Sequence, residues 1–237
     1  MIARGDLGVE MGPEVVPILQ KRIIAKANQH RRLVITATQM LESMTQHPSP
    51  TRAEASDVAN AIFDGTDAVM LSSETARGQY PVESVQVMDR IVRVAEGESV
   101  RLNVGPVERS AARQHRSIPE AMCAAAASAA AATQAAAIAT FSESGTTARL
   151  LSKQRPVAPI VAFTPHDLVR QRMTLYWGVL PRLLARIQDP DDRVHAIAHR
   201  LVEETLVATG DCVVLLSGTV AGQLGGTNAM KLHRIVS

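Results

Sequence analysis

Apolar positions recur along this chain with two alternating periods. Val15, Ile18, Leu19, Ile23, Ile24 and Ala27 keep a helical spacing, with Pro13 ahead of them and a polar exit at residues 28–32. Residues 33–38 are a short apolar, β-branched run and read as a buried strand. Residues 55–63 read as a short helix ended by Asp64-Gly65. Residues 67–71 predict another strand, residues 72–80 a polar loop, and residues 81–98 a helix opened by Pro81. Ile2 and Ala3 read as the end of a buried strand that runs into a glycine-bearing polar turn at Arg4-Gly5-Asp6. With no strand ahead of it, that run reads as starting inside a domain.

Strand and helix alternation over the first hundred residues argues for a parallel α/β sheet. Its three strands end in Asp6, in Thr38, and in Ser72 with Glu74. In a (β/α) barrel that end carries the chemistry. Residues 99–117 hold Gly105, Pro106 and several arginines without a sustained period, which places a linker there. A second α/β pattern follows over residues 118–237. Helices are expected at 118–134, 146–154, 166–177 and 191–208, and strands at 135–141, 160–163, 179–183, 212–216 and 230–236. Asp189 is positioned as the N-cap of the fourth helix. The alternation gives an α/β fold class, and the family resemblance set out below implies that 1–98 is an incomplete (β/α)8 barrel segment of about three βα units and 118–237 a three-layer α/β domain. Three strands of an eight-stranded barrel leave raw edges that need covering.

Composition narrows the function classes. The 237 residues carry 25 basic and 23 acidic side chains, a net charge of +2, which gives no reason to expect nucleic acid or membrane as a partner. The alanine-rich run at 121–139 includes Ser128, Thr133 and Gln134, so it reads as a packed helix rather than a membrane span. Cys123 and Cys212 fit no metal or redox spacing and read as buried thiols in a reducing compartment. His195 and His199 share a helix face with no acidic third ligand nearby, and read as half-exposed surface residues.

Two loops carry candidate chemistry. Asp6 beside Gly5 at a strand end suits a divalent cation, and the neighbouring backbone N–H groups suit an anion. The alternatives are a simple turn or an exposed Arg-Gly-Asp tripeptide. In Ser142-Glu143-Ser144-Gly145-Thr146-Thr147, hydroxyls meet a predicted helix start, which suits a phosphate. The alternative is an ordinary loop.

Four motifs carry a family resemblance: Ala3-Arg4-Gly5-Asp6-Leu7-Gly8-Val9-Glu10, Ala37-Thr38-Gln39-Met40-Leu41-Glu42-Ser43-Met44, Pro50-Thr51-Arg52-Ala53-Glu54 with Ser56-Asp57-Val58-Ala59-Asn60-Ala61, and Met70-Leu71-Ser72-Ser73-Glu74-Thr75-Ala76. In order and spacing they resemble pyruvate kinase. The likeness runs on through Ser144-Gly145-Thr146-Thr147 to Gly226-Thr227-Asn228 and covers about half of a family subunit.

The resemblance implies phosphoryl transfer between phosphoenolpyruvate and ADP, giving pyruvate and ATP, in the cytoplasm, by a homo-oligomer that is tetrameric in the family. It implies Asp6 as a ligand of Mg²⁺ or Mn²⁺, and Ala3, Arg4, Gly5, Asp6 and Thr38 around the substrate. Thr38, Ser72 and Glu74 are implied at the catalytic pocket. For Thr38 the alternative is a cap of the next helix, and for Ser72 and Glu74 the satisfaction of loop backbone. Residues 39–44 and 51–60 are implied as scaffold and subunit contact, with Arg52 as a brace. Ser142, Ser144, Gly145, Thr146 and Thr147 are implied to hold a phosphate of a phosphorylated effector. Glu143 departs in charge and is expected to repel it. The loop at 217–227 offers no Arg, Lys or Trp for a second phosphate. The family's lysine, second metal carboxylate, K⁺ ligands and most nucleotide contacts match nothing in this chain, which is therefore expected to be inactive alone. The competing expectation is a non-catalytic phosphometabolite-binding or assembly module.

Overall fold

The computed structural model describes residues 1–102, 117–218 and 226–236. The chain divides into two compact units, Met1–Ala111 and Ala112–Ser237, each built on its own sheet.

In the first unit, β1 (Ile2–Ala3), β2 (Ile35–Ala37) and β3 (Ala68–Met70) pair in parallel in that order, with Ile2 beside Thr36 and Thr36 beside Val69. Between and after them come α1 (Arg4–Met11), α2 (Val16–Gln29), a 3-10 turn (Glu42–Thr45), α3 (Arg52–Asp64), α4 (Ser73–Ala76) and α5 (Pro81–Leu102). Ile2, Ile24 and Val34 form one small core, with Leu7 and Ala27 against it. Met40, Leu41 and Met44 form another with Val58, Ala61 and Met88, fastening the 3-10 turn between α3 and α5.

Four local expectations change. Residues 4–11 form a helix rather than a turn. Its apolar positions Leu7, Val9 and Met11 alternate instead of following a helical period, and Val9 and Met11 stay exposed. The loop at 72–80 contains the single turn of α4. Helix α3 starts at Arg52 rather than 55, because Thr51 and Glu54 form a reciprocal cap: the Glu54 amide donates to Thr51 Oγ1 at 3.2 Å and the Thr51 amide to Glu54 Oε2 at 2.8 Å. Helix α5 runs to Leu102, past the expected end at residue 98. The remainder of the expected linker, residues 103–116, lies outside the described residues.

In the second unit, α6 (Ile118–Thr133), β4 (Ala137–Phe141), α7 (Thr146–Ser152), β5 (Ile160–Thr164), α8 (Asp167–Met173), β6 (Val179–Leu183), α9 (Pro190–Glu203), β7 (Cys212–Gly218) and β8 (Thr227–Arg234) follow in sequence. The sheet order is β6-β5-β4-β7-β8, parallel except for β8, which pairs antiparallel to β7. Ala137, Ala139, Val161, Phe163, Val213 and Leu215 take alternate positions on three strands and face Ile197 and Leu201 of α9. Asp189 caps α9 as expected, accepting from the amides of Asp191 and Asp192 at 2.9 Å each. Helices α8 and α9 end earlier than expected, at Met173 and Glu203. Strand β8 begins earlier, at Thr227.

Cys123 is fully buried under α7, and burial pushes its thiol up to about 12, so it packs as a small apolar group. Cys212 is only half-buried. Among the described residues, no helix is long and apolar enough to cross a membrane.

Candidate functional site

The C-terminal ends of β1, β2 and β3 bring Arg4, Thr38 and Ser72 to one edge of the first sheet. Ala3 is the last residue of β1 and pairs with Ala37. Immediately beyond, the Gly5 amide donates to Thr38 Oγ1 at 2.8 Å, and that hydroxyl donates to the Ala37 carbonyl at 2.7 Å. Gly5 lies in the first turn of α1, where amides have no partner within the helix. Thr38 therefore does cap a helix, but it is α1 across the sheet rather than the helix that follows. The Gly5 N–H, implied for a substrate carboxylate, already has this hydroxyl. Asp6 is exposed on the same turn.

Thr38 and the next residue both adopt left-handed backbone, with φ of 67° and 53°. For non-glycine residues such conformations cost on the order of 1–3 kcal/mol each, and a β-branched threonine is a marked outlier. The neighbouring groups hold them. Arg4, buried, donates to the carbonyls of Thr38 and Gln39 and to Asp57. Its guanidinium is thus occupied by protein groups, where the resemblance implied a substrate contact.

Ser72 opens onto a cleft of about 500 Å³ together with Thr38, Gln39, Glu42, Ser73 and Arg77. Glu42 and Arg77 were missed by sequence reasoning. Glu42 accepts from Ser73 Oγ at 3.0 and 3.1 Å, and Arg77 is exposed at the end of α4. Glu74 does not reach the cleft. It is completely buried, accepting from the Leu41 amide at 3.0 Å and the Ser72 amide at 2.7 Å, so it satisfies loop backbone on both sides. The chain then turns tightly at Gly78, where a Cβ would sit 2.4 Å from the Glu74 carbonyl oxygen.

The two scaffold motifs are joined by one carboxylate. Glu54 accepts from the Ser43 amide at 2.7 Å and the Ser43 hydroxyl at 2.6 Å, as well as from Thr51. Burial alone would raise its pKa, but these bonds together hold it below the usual carboxylate range. Arg52 is exposed.

In the second unit, the segment after β4 folds back on itself. The Gly145 amide donates to Ser142 Oγ at 3.0 Å, and Ser144 Oγ lies 2.9 Å from Thr146 Oγ1. Thr147 Oγ1 meets Thr227 Oγ1 at 2.6 Å. Ser142 and Thr147 are buried, whereas Ser144 and Thr146 are half-buried. Gly145 has φ 79°, and a Cβ there would crowd Met173 at 3.2 Å and Val169 at 3.3 Å. Glu143 is not a bare charge beside these hydroxyls. Arg186 grips it with Nε at 2.8 Å and Nη2 at 2.9 Å, and His166 Nε2 lies 3.0 Å away. Arg172 donates to the Ser144 carbonyl at 2.6 Å.

None of these three basic residues is near the loop in sequence. A fourth, Arg193, is buried on α9. It donates to the carbonyls of Ile187, Gln188 and Gly218 and lies over the Phe141 ring. It thus places a cation at the start of the loop expected to lack one. Residues 219–225 of that loop lie outside the described residues. His195 and His199 are exposed on α9.

Asp6 fits a divalent cation only as a single oxygen donor. Among the described residues, no group of three or more His, Cys, Asp or Glu side chains converges on a metal position. Asp6 by itself would give a divalent cation one carboxylate and leave the rest of its coordination shell to water or to other residues.

Two family models match the chain: the pyruvate kinase barrel domain over residues 1–85 and the pyruvate kinase alpha/beta domain over residues 120–233. Relatives agree along nearly the whole chain. A pyruvate kinase of Sporosarcina psychrophila is 46% identical over 99% of this chain and 40% of its own length. Pyruvate kinase 2 of Synechocystis sp. is 47% identical over 98% of the chain and 38% of its own length. A pyruvate kinase of Clostridium acetobutylicum is 43% identical over 98% of the chain and 49% of its own length. The chain thus spans two fifths to one half of the curated relatives it matches. With both of its compact units matched by domains of one enzyme, in that enzyme's order, the chain belongs to the pyruvate kinase family.

Proposed function

We propose that these residues are the carboxy-terminal part of a pyruvate kinase subunit: the last βα units of a (β/α)8 barrel, about residues 1–98, followed by a regulatory α/β domain at 118–237. In a longer protein that contains them, the reaction is phosphoryl transfer from phosphoenolpyruvate to ADP. The observation that carries this reading is the convergence of Gly5, Thr38 and Ser72 at the C-terminal ends of adjacent parallel strands. Barrel enzymes hold their chemistry on that face.

In this reading Asp6 would hold a divalent cation by one carboxylate, and that ion, when bound, would supply charge neutralisation for the transferring phosphoryl group. Thr38 lies against the substrate carboxylate and methyl carbon. Ser72 lines the pocket, and Glu74 acts at one remove by fixing the Leu41 and Ser72 amides. Ser144 and Thr146 present hydroxyls to a phosphorylated effector. The assembly is a cytoplasmic homo-oligomer that also uses K⁺, held by residues not among these 237.

The 237 residues alone are expected to show no turnover. The family's phosphoryl-stabilising lysine and second metal carboxylate are not among them, and each such group is worth roughly 10² to 10³ in rate. Assay of a longer protein containing these residues should give pyruvate, and Asp6→Asn should lower kcat by on the order of a hundredfold. Full turnover by Asp6→Asn would overturn the metal role. No turnover in any context, with phosphate binding retained at Ser144 and Thr146, would favour a non-catalytic binding module.

A further inference from the structure

Two successive non-glycine residues in left-handed backbone close strand β2, and one guanidinium touches both. Arg4 Nε donates to the Thr38 carbonyl at 3.1 Å, and Nη2 donates to the Gln39 carbonyl. The third branch, Nη1, reaches Asp57 Oδ2 on α3 at 3.0 Å. Arg4 is 7% exposed, whereas the Asp57 side chain is 55% exposed. The residue after Arg4 completes the grip, because the Gly5 amide donates to Thr38 Oγ1. Peptide carbonyls, side-chain hydroxyl and backbone turn are all fixed from one point on α1.

A backbone conformation this sparsely populated persists only where its surroundings over-determine it. A planar guanidinium with donors on three sides can hold three acceptors at set angles. A lysine ammonium on a flexible stem cannot.

We infer that Arg4 is a positioning residue. It clamps the Thr38–Gln39 turn in left-handed geometry, with Asp57 setting the guanidinium, and so fixes where Thr38 stands at the edge of the cleft. The use of Thr38 by a substrate rests on the function proposed above. The clamp itself does not, and it is measured without substrate.

The test is amide hydrogen exchange at Gly5, read on the whole 237-residue chain. Arg4→Lys keeps the charge but loses the fork, and should speed Gly5 exchange by about tenfold or more as local opening becomes easier. Adding Gln39→Gly should restore most of the protection, since glycine takes a positive φ without help. An arginine that merely fills a buried space gives no such rescue. If Arg4→Lys does not fold, Asp57→Asn replaces it, with a smaller rise in Gly5 exchange and the same rescue expected. Unchanged exchange in both single variants, or no recovery with Gln39→Gly, would overturn the clamp. Failure of the proposed activity would appear as no pyruvate from the longer protein and leave these exchange rates untouched.

Discussion

The Glu74 carboxylate reaches back over thirty-three residues to the Leu41 amide, 3.0 Å away, while completely buried. Its second oxygen takes the Ser72 amide. The side chain therefore ties the segment after β2 to the segment after β3. Glu74→Ala leaves both amides without an acceptor, and each buried unsatisfied group costs about 1–3 kcal/mol. The expected loss for the first unit is about 2–5 kcal/mol by urea denaturation. Glu74→Gln keeps one acceptor and should lose about half as much. Equal stability of all three proteins would show that solvent or a local shift supplies these amides.

Arg186, backed by His166, holds the Glu143 carboxyl below the usual carboxylate range although partial burial opposes it. A carboxylate with a folded pKa below its unfolded one stabilises the fold above the unfolded pKa. That contribution fades as pH falls through the folded value. Arg186→Met should therefore destabilise the second unit at neutral pH. The deficit should be full above the ordinary glutamate pKa of about 4.3 and shrink at lower pH. Denaturation midpoints of parent and variant at pH 7, 5 and 3.5 measure it, and a gap that does not change with pH would rule the pair out as the cause.

The same contact sets an expectation for ligand binding. With Glu143 occupying Arg186, an anion at Ser144 and Thr146 meets hydroxyls and a cation already engaged. Glu143→Thr releases Arg186 and should tighten binding of a monophosphate by on the order of tenfold, about one charge-assisted hydrogen bond. Calorimetric titration of the whole chain with AMP, ribose 5-phosphate and fructose 1,6-bisphosphate tests this. No heat from any of the three, in either protein, would place the effector elsewhere.

Helix α3 depends on its cap. Thr51→Ala removes the acceptor for the Glu54 amide and should cost about 1 kcal/mol. Glu54→Ala should cost more, since it also frees the Ser43 amide and hydroxyl. Differential scanning calorimetry orders the two, and an inverted order would make the cap the dominant contact.

Elements with a clear period were legible in the sequence: α2, β2, α3, β3 and most of the second unit. Helix α1 was not, because Leu7, Val9 and Met11 alternate and only Leu7 turns inward. The Thr51-x-x-Glu54 cap is written in the sequence and would have moved the expected start of α3 from 55 to Arg52, while the Ser117-x-x-Glu120 cap agrees with the expected start of α6 at Ile118. At the site, the residue types were legible but the partnerships were not. Arg4 meets Asp57 across 53 residues and Glu143 meets Arg186 across 43, and both pairings are made by the folded chain rather than by local pattern. Glu143 therefore looked like a bare repelling charge, and Arg4 like a hand extended to substrate.

The sheet of the second unit grows in two directions. From β4 the chain steps to β5 and β6 on one side, then crosses back to lay β7 on the other. The crossover from β6 to β7 passes back over β5 and β4, and its helix α9 packs on Ala137, Ala139, Val161 and Phe163. One hydroxyl pair, Thr147 on α7 and Thr227 at the start of β8, joins elements that lie on either side of that crossing. A shift of α7 is therefore passed directly to the antiparallel strand at the sheet's far edge, without going through the strands between them.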